Sequence, residues 1–583
     1  MTVLSSKTAP QAPIAVLIAV TVACGGGAGN AGRASMDGGE AGGGSDNDVT
    51  VGDDGGDGGN GGMDAGLRGT EGGGTGAEGG VPPPTCGTPL PAPTPDGSTT
   101  VVLQVDECAA RHAISDDIYG ITFFWDTGSA SSDQATLQAQ LQFAKQVRLP
   151  VNRLGGDGTT RYNWQVDSSN AGEDWYFMAG VGSATPTPGA TDDAYVKYDN
   201  MVGSSTIITI PIIDYITKLS TTNCSYPSNE YPTQDSWNPY VTLSGGIKCG
   251  NGKTGGQPIM DTQIANHDIA NTPANQKAWI QHLVSTFGSA ANGGVRIYEM
   301  DNEPTGWPGV HFDVEPTSPT CQDVIAKTQT YASTVKSADP TALVLGPDDI
   351  PPADAFSCMG TTNGEAYLAA MATYEKQNGT RILDYYSMHY PGCCSGDPIA
   401  NAATKIKTHL GWIAANYPGT LLGYDEYNWG ANGDSSTFPE GILAVDGLGL
   451  FGSMSVDLAS FWGLAVTTPT ATAFELYRNY DGKGGAFGQM SIAATSSDTT
   501  QLHSYAAERS DGAVTIVVVN KTSNDVSSVI SLSNHKPAGP ATVYLFSSAQ
   551  PTSIVAQPTM TIANPGNIAM TFPAGAAELI VIP

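Results

Sequence analysis

From about residue 107 onward, short apolar runs alternate with stretches whose apolar residues recur every three or four positions. Eight of the runs, at 118–124, 151–154, 206–213, 295–301, 342–346, 384–390, 421–426 and 458–464, lack the in-out alternation of a half-exposed strand. They read as parallel strands buried on both faces. Helical patterns lie between most of them, at 133–147, 275–287, 320–338, 364–377 and 399–416. Thr320, with Asp323 three residues on, reads as an N-cap, and Ala338-Asp339-Pro340 as a stop. Strands and helices alternating in this way predict an α/β fold, a (β/α)8 barrel of the TIM type over 107–468. A doubly wound open sheet is the competing arrangement.

After Val466 the helical period is lost. Segments 501–508, 514–520, 526–533, 542–546 and 578–583 alternate instead, separated by turn signals such as Ser510-Asp511-Gly512. They predict a C-terminal antiparallel β-sandwich over 469–583, which the alternating segment at 96–106 completes. Its bland role is a cap packed on the barrel; glycan binding is the alternative.

The first hundred residues follow neither pattern. Lys7 precedes an apolar stretch at 12–23 that is too short to span a bilayer and reads as the core of a signal peptide over 1–24. Thr-Val-Ala-Cys24 resembles a bacterial lipoprotein cleavage site, which makes Cys24 the expected lipidated residue. Residues 25–95 are Gly-rich with scattered Asp and Glu, then Pro-rich, and hold almost no branched or aromatic side chains. They are expected to be a disordered tether between anchor and folded head. Eight cysteines remain after Cys24, enough for four disulfides in an exported protein. Cys224 and Cys249, which bracket one insertion, are the expected pair, while Cys393 and Cys394 are expected to bond different partners.

A formal net charge of -31 argues against nucleic acid or an anionic membrane surface as partner. A neutral polysaccharide fits such a surface. The expected membrane link is the lipid on Cys24 alone, at the surface of a bacterial outer membrane or as a secreted form, and the chain is expected to be a monomer.

The candidate chemistry lies in two glutamates. Glu303, in Met-Asp-Asn-Glu-Pro, follows the fourth run, and Glu426, in Tyr-Asp-Glu-Tyr-Asn, ends the seventh. In a barrel, strand ends four and seven face each other across the mouth where reactive groups gather. Two carboxylates so placed are the equipment for cleaving a glycosidic bond. Glu303 reads as the acid/base, with Trp307 as an apolar wall that raises its pKa, and Glu426 as the nucleophile. Asn302 is a candidate to bind a sugar 2-hydroxyl. His389, Tyr390 and Arg153 are candidates to orient Glu426, and Trp462 and Trp125 to bind the sugar. No metal ligand set and no required cofactor are read. Thr191-Asp-Asp and Gly346-Pro-Asp-Asp offer oxygens for a structural calcium but read more simply as solvated loop acids. Gly447-Leu-Gly449-Leu-Phe-Gly452 spells a dinucleotide fingerprint without a strand before it and is discounted.

The chain also resembles glycoside hydrolase family 44, bacterial endo-β-1,4-glucanases and xyloglucanases. The likeness is carried by Asp117-Ile-Tyr-Gly, Gly158-Thr-Thr-Arg-Tyr-Asn-Trp, Ser169-Asn-Ala-Gly-Glu-Asp-Trp, Asp301-Asn-Glu-Pro with Trp307-Pro, and Glu426-Tyr-Asn-Trp, then by Tyr477-Arg-Asn-Tyr-Asp-Gly and Ala506-Ala-Glu-Arg. It implies a barrel with a β-sandwich and retaining hydrolysis of cellulose or xyloglucan, with the acid/base at Glu303 and the nucleophile at Glu426. Asp157 in Gly155-Gly-Asp-Gly and the Cys224–Cys249 insertion depart from the family pattern. Rival readings are a non-catalytic glycan-binding lipoprotein, and the same chemistry directed at mannan or xylan.

Overall fold

The computed structural model describes Cys86 and residues 100–583, apart from 123, 126–133, 182–185, 219–220, 262, 394 and 430–435. The signal-peptide and tether expectations, and the partner of Cys394, lie outside the described residues. Among the described residues no helix is long and apolar enough to cross a membrane.

Eight parallel strands close into a barrel, and they are the eight anticipated runs in the anticipated order. They span Gly120–Thr122, Val151–Leu154, Ser205–Ile210, Ile297–Met300, Leu343–Asp349, Tyr385–Met388, Leu421–Tyr427 and Leu458–Trp462. Closure is made by the eighth strand pairing in parallel with the first, Phe461 opposite Ile121. Helices Gln134–Val147, Pro273–Phe287, Cys321–Ala338, Asn363–Asn378 and Pro398–Asn416 match the helical patterns within a few residues. Thr320 caps its helix as expected: its hydroxyl accepts from Asp323 N–H while the Asp323 carboxylate accepts in return.

One reading is corrected. The helical pattern does not end at Val466, because a further helix, Pro469–Arg478, packs against helix Phe438–Ser453 and completes the barrel's outer ring. Its opening Thr470-Ala-Thr472-Ala-Phe alternates polar and apolar positions as a strand does, which masks the helical period over so short an element.

The remaining strands form a ten-stranded sheet. Strands near opposite ends of its strand order, Thr542–Phe546 and Ile568–Phe572, bury Val543, Ile568 and Phe572 in one apolar cluster, so the sheet folds over itself as a sandwich. The N-terminal strand Val101–Asp106 lies inside it, antiparallel to Met490–Ser496 but parallel to Val526–Ser533. The sandwich is therefore not wholly antiparallel: no hairpin joins this strand to its neighbours, so nothing local imposes the antiparallel sense.

Helix Phe438–Ser453 joins the two parts, and it is buried on all sides. Its glycines are those of the apparent dinucleotide fingerprint, and their role is close packing. A Cβ on Gly449 would lie 2.2 Å from the Tyr505 ring of the sandwich, and one on Gly447 2.1 Å from the Trp429 ring. Next to Gly447, Asp446 is fully buried; it accepts from Tyr505 Oη at 2.6 Å and pairs with His503 Nδ1 at 2.8 Å and Lys521 Nζ at 3.0 Å. Disulfides Cys86–Cys108, Cys224–Cys249 and Cys321–Cys358 are formed, the second as anticipated, and Cys393 is disulfide-bonded as well.

Gly449→Ala would raise the intrinsic stability of an exposed helix by about 1 kcal/mol. Here it is expected to destabilise the protein by about 1–3 kcal/mol through overpacking. Urea denaturation reads the difference; an unchanged or higher midpoint would count against the close-packing role.

Candidate active site

Side chains alternate in and out along each barrel strand. Low in the barrel the inward ones are apolar: Val151, Ile207, Ile297, Leu345, Tyr385 and Leu458 form one buried cluster. Two residues further along, the same alternation brings in Arg153, Thr209, Glu299, Ser387 and Ser460, and Asp425 stands two beyond Gly423; all are essentially unexposed. The interior thus changes from hydrocarbon to charge within one pleat.

Arg153 organises this layer. Its Nε and Nη2 donate to the two oxygens of Glu299 at 2.6 and 2.5 Å, Nη2 also reaches Asn302 Oδ1 at 2.8 Å, and Nη1 donates to Glu426 Oε2 at 2.6 Å. Asp425 Oδ2 lies 2.9 Å from Nε. Burial, with Asp425 adding to it, raises the Glu299 carboxyl to about 8 against the opposing pull of Arg153. Asp348 is likewise pushed well above the usual carboxylate range by burial and by Asp425 and Glu299. Glu299 is not singled out by the sequence, and Asp348 reads there only as a loop acid. The available signal was a carboxylate inside an apolar strand run, which needs a buried partner.

Above this layer stand the two predicted glutamates. One carboxylate oxygen from each, together with a His389 ring nitrogen, all lie within 4.8 Å of one another. Glu303 sits just past the fourth strand in left-handed backbone, φ 48° and ψ 58°, with its N–H bonded to Asp348 O at 2.8 Å. Asp301, Asp348 and Tyr390, also at strand ends, share the positive φ. Such strain persists only where the surroundings over-determine it, and it gathers at functional sites. The Glu303 side chain keeps 19% exposure, whereas that of Glu426 keeps 6%.

Each glutamate has its own partners. Tyr390 Oη donates to Glu426 Oε1 at 2.5 Å, so both Glu426 oxygens are engaged, one by Tyr390 and one by Arg153. His389 serves the other carboxylate: its Nδ1 lies 2.9 Å from Glu303 Oε1. Burial alone would lower the His389 pKa, but Glu426, Glu303 and Asp425 together lift it to about 9. The Glu303 carboxyl is held above its ordinary value, burial being the main cause and His389 the main opposition.

The other candidates separate. Asn302 is 3% exposed, with Oδ1 accepting from Arg153 and Nδ2 donating to Asp157 Oδ1 at 2.9 Å, which leaves one amide N–H uncommitted. Trp307 is 1% exposed, and its indole N–H holds the Asn302 carbonyl at 3.0 Å, so its direct link is to Asn302. Trp462 is half-buried, and its ring crowds Gly156, whose φ of 98° turns the chain toward Asp157. Trp125 does not face the site: it is 1% exposed, and its Nε1 donates to Asp199 of helix Ala190–Val202 at 2.6 Å. It packs between barrel and helix, because a strand-end position does not say which way a side chain points.

Asp157 departs from the family pattern and lies in the site. Its carboxyl is raised well above normal by burial, then by Glu303 and Asp174. The acids first read as solvated loop groups are bound into the fold. Asp192, Asp348 and Asp349 are buried, Asp349 accepts from Thr305 Oγ1 at 2.6 Å, and Asp193 pairs with His282 at 3.0 Å. A third acid-histidine group, His267, Asp268 and Asp313, has metal-like spacing. Its charge is already balanced by Arg161, bonded to Asp268 and Asp313, and by His267, whose pKa two aspartates lift to about 9 against its burial.

Two outcomes follow from this geometry. Arg153→Lys cannot reproduce the fork and is expected to lower kcat about a hundredfold through misplacement of Glu426. Wild-type kcat with a lowered Tm would instead mark Arg153 as structural only. His389, raised from 6.5 to about 9 in the fold, contributes stability that is full below its unfolded pKa and is lost as pH rises through about 9. The Tm gap between wild type and His389→Gln should therefore be widest near pH 6 and close above about pH 9.5; a gap independent of pH would contradict the charged imidazole.

Comparison with known proteins agrees with this architecture. Residues 168–391 match the model of glycoside hydrolase family 44. Endoglucanase A of Paenibacillus lautus is 26% identical over 564 residues, covering 85% of this chain and 75% of that protein. The β-mannanase/endoglucanase A of Caldicellulosiruptor saccharolyticus is 26% identical over 69% of this chain, which spans 34% of that larger protein. CelM2, a bifunctional glucanase-xylanase protein from a metagenome library, superposes with a TM-score of 0.73 at 29% identity, covering 83% of this chain and 99% of its own. A family 44 xyloglucanase of Paenibacillus polymyxa, at 22% identity, shares the fold with a TM-score of 0.65 over 83% of this chain and all of its own. The chain is a glycoside hydrolase, and over residues 168–391 it is similar to glycoside hydrolase family 44.

Proposed function

We propose that the protein cuts internal β-1,4 linkages of glucan-type polysaccharides such as cellulose or xyloglucan, with retention of configuration. Glu303 is the acid/base and Glu426 the nucleophile in this reading. The observation that carries it is the carboxylate approach of 4.8 Å or less. That spacing suits direct attack on the sugar, for which retaining enzymes hold their carboxyl groups about 5–5.5 Å apart; inverting enzymes leave about 6.5–9.5 Å for a water.

The roles follow from the partners. Glu426 has both oxygens accepting hydrogen bonds and is built to attack rather than to give a proton. Glu303, raised by burial, carries the proton. In the first step the Glu303 proton passes to the glycosidic oxygen, the bond to the leaving chain breaks, and Glu426 bonds to the anomeric carbon. In the second, Glu303 takes a proton from water, whose oxygen displaces Glu426. Asn302 offers its free amide N–H to the sugar, and Trp462 flanks it. The reaction asks for no cofactor, and a structural calcium would serve stability alone. The sequence around Cys24 supports a lipid anchor that places a monomeric enzyme at the bacterial surface.

Glu426→Ala is expected to lower turnover on carboxymethylcellulose, xyloglucan and glucomannan by at least about a thousandfold, with azide restoring part of it on an activated aryl glycoside. Full activity in this variant would remove the nucleophile assignment. A first product with inverted anomeric configuration by proton NMR would remove the two-step mechanism.

A further inference from the structure

The Cys224–Cys249 insertion carries an aromatic pair that the catalytic reading does not use. Tyr240 is 67% exposed, yet its ring lies nearly parallel to that of Trp175, 9° between planes and 5.9 Å between centroids. The placement is built rather than incidental. Strand Trp237–Thr242 pairs with Lys248–Gly250 through an irregular register. Within that irregularity Asn238 Oδ1 accepts from both Tyr240 N–H at 2.8 Å and Val241 N–H at 3.0 Å. Bulges of this kind re-aim side chains. The disulfide ties this hairpin to the strand Asn223–Cys224, which pairs with Met178–Val181, and Trp175 packs on the cluster formed by Met178 and the two cysteines.

The pair is continuous with the catalytic cleft. Trp175 ends a short 3-10 helix, Gly172–Trp175, that lies against the segments Asp157–Thr160 and Trp307–Val310, which follow Arg153 and Glu303. A Cβ on Gly172 would fall 2.1 Å from Val310 O, so the backbone of this helix packs directly on the segment that follows Glu303. Asp174, the residue before Trp175, reaches the Asp157 carboxyl, which in turn accepts from Asn302.

We propose that Trp175 and Tyr240 form a subsite that binds the glucan chain beyond the sugars held between Glu303 and Glu426. The inference rests on the functional reading above. A flat aromatic face suits the apolar face of a β-linked sugar ring, and the phenol tip suits its hydroxyls. Tyr240, exposed and held in place by Asn238 and by Trp175, presents such a face to solvent.

The test compares a long substrate with a short one in the full chain. Tyr240→Ala should lose about three- to tenfold in kcat/KM on hydroxyethylcellulose, the size of one aromatic contact. It should keep wild-type kcat/KM on 4-nitrophenyl β-cellobioside, whose two sugars occupy only the positions nearest the cleaved bond. Tyr240→Phe should retain polymer activity. Equal losses on both substrates, or no loss on either, would overturn the subsite. A wild type that cleaves neither would remove the functional reading itself, and the subsite with it.

Discussion

Everything in the mouth of the barrel depends on one guanidinium. Arg153 is fully buried and touches Glu299, Asp425, Glu426 and Asn302, groups from strand ends that no other residue joins among the described contacts. Charges so far from water cost several kcal/mol each unless paired. The cluster answers this with two cations and shared protons. Arg153 and a raised His389 stand among carboxyls of which Glu299 and Asp348 favour the neutral form. A lysine there, a single point charge, could not bridge two strands and fix the plane of Glu426 at once. Planarity, more than charge, turns a polar barrel interior into a site with one geometry.

That geometry is held at some internal cost. Four non-glycine residues in left-handed backbone, Asp301, Glu303, Asp348 and Tyr390, crowd the ends of the fourth to sixth strands. Each costs about 1 kcal/mol or more. What holds them is continuous backbone bonding between neighbouring strand ends: Glu303 N–H to Asp348 O, His389 N–H to Asp349 O, Tyr390 N–H to Glu426 O. The two glutamates are thereby linked through main chain as well as through side chains, and the spacing between them is a property of the ring rather than of two loops. The sandwich adds stiffness from outside through Asp446, which ties a barrel helix to His503, Tyr505 and Lys521.

Much of this was legible in the amino-acid order because buried parallel strands announce themselves as unbroken apolar runs, and chemistry in a barrel gathers where those runs stop. Glu303, Glu426, Arg153, His389 and Tyr390 all stand at such stops. Glu299 and Asp425 lie inside or beside their runs, and only a folded neighbour such as Arg153 shows why a charge is tolerated there. Asp157 stood out as a departure from a pattern, though its bond to Asn302 spans 145 residues of sequence and had no local trace. Trp125 failed for a different reason. Past the end of a strand the alternation no longer specifies a side, and the indole found Asp199 on the outer helix. The helix Pro469–Arg478 was hidden because its first turn alternates Thr and Ala in the two-residue period of a strand.

The strand Val101–Asp106 has a consequence for how the molecule comes into being. Its partners, Met490–Ser496 and Val526–Ser533, are separated from it by the entire barrel, with Leu103 opposite both Ser496 and Ile530. A nascent chain therefore has nowhere to place this strand until the last fifth of its length has emerged. Closing so large a loop adds to the entropic barrier of assembly and gives the sandwich a high contact order. Until then the strand is an unpaired apolar edge, which exposes the half-made chain to aggregation. Once in place it works as a clasp, so that neither end of the barrel can fray without first breaking a sheet that both ends built.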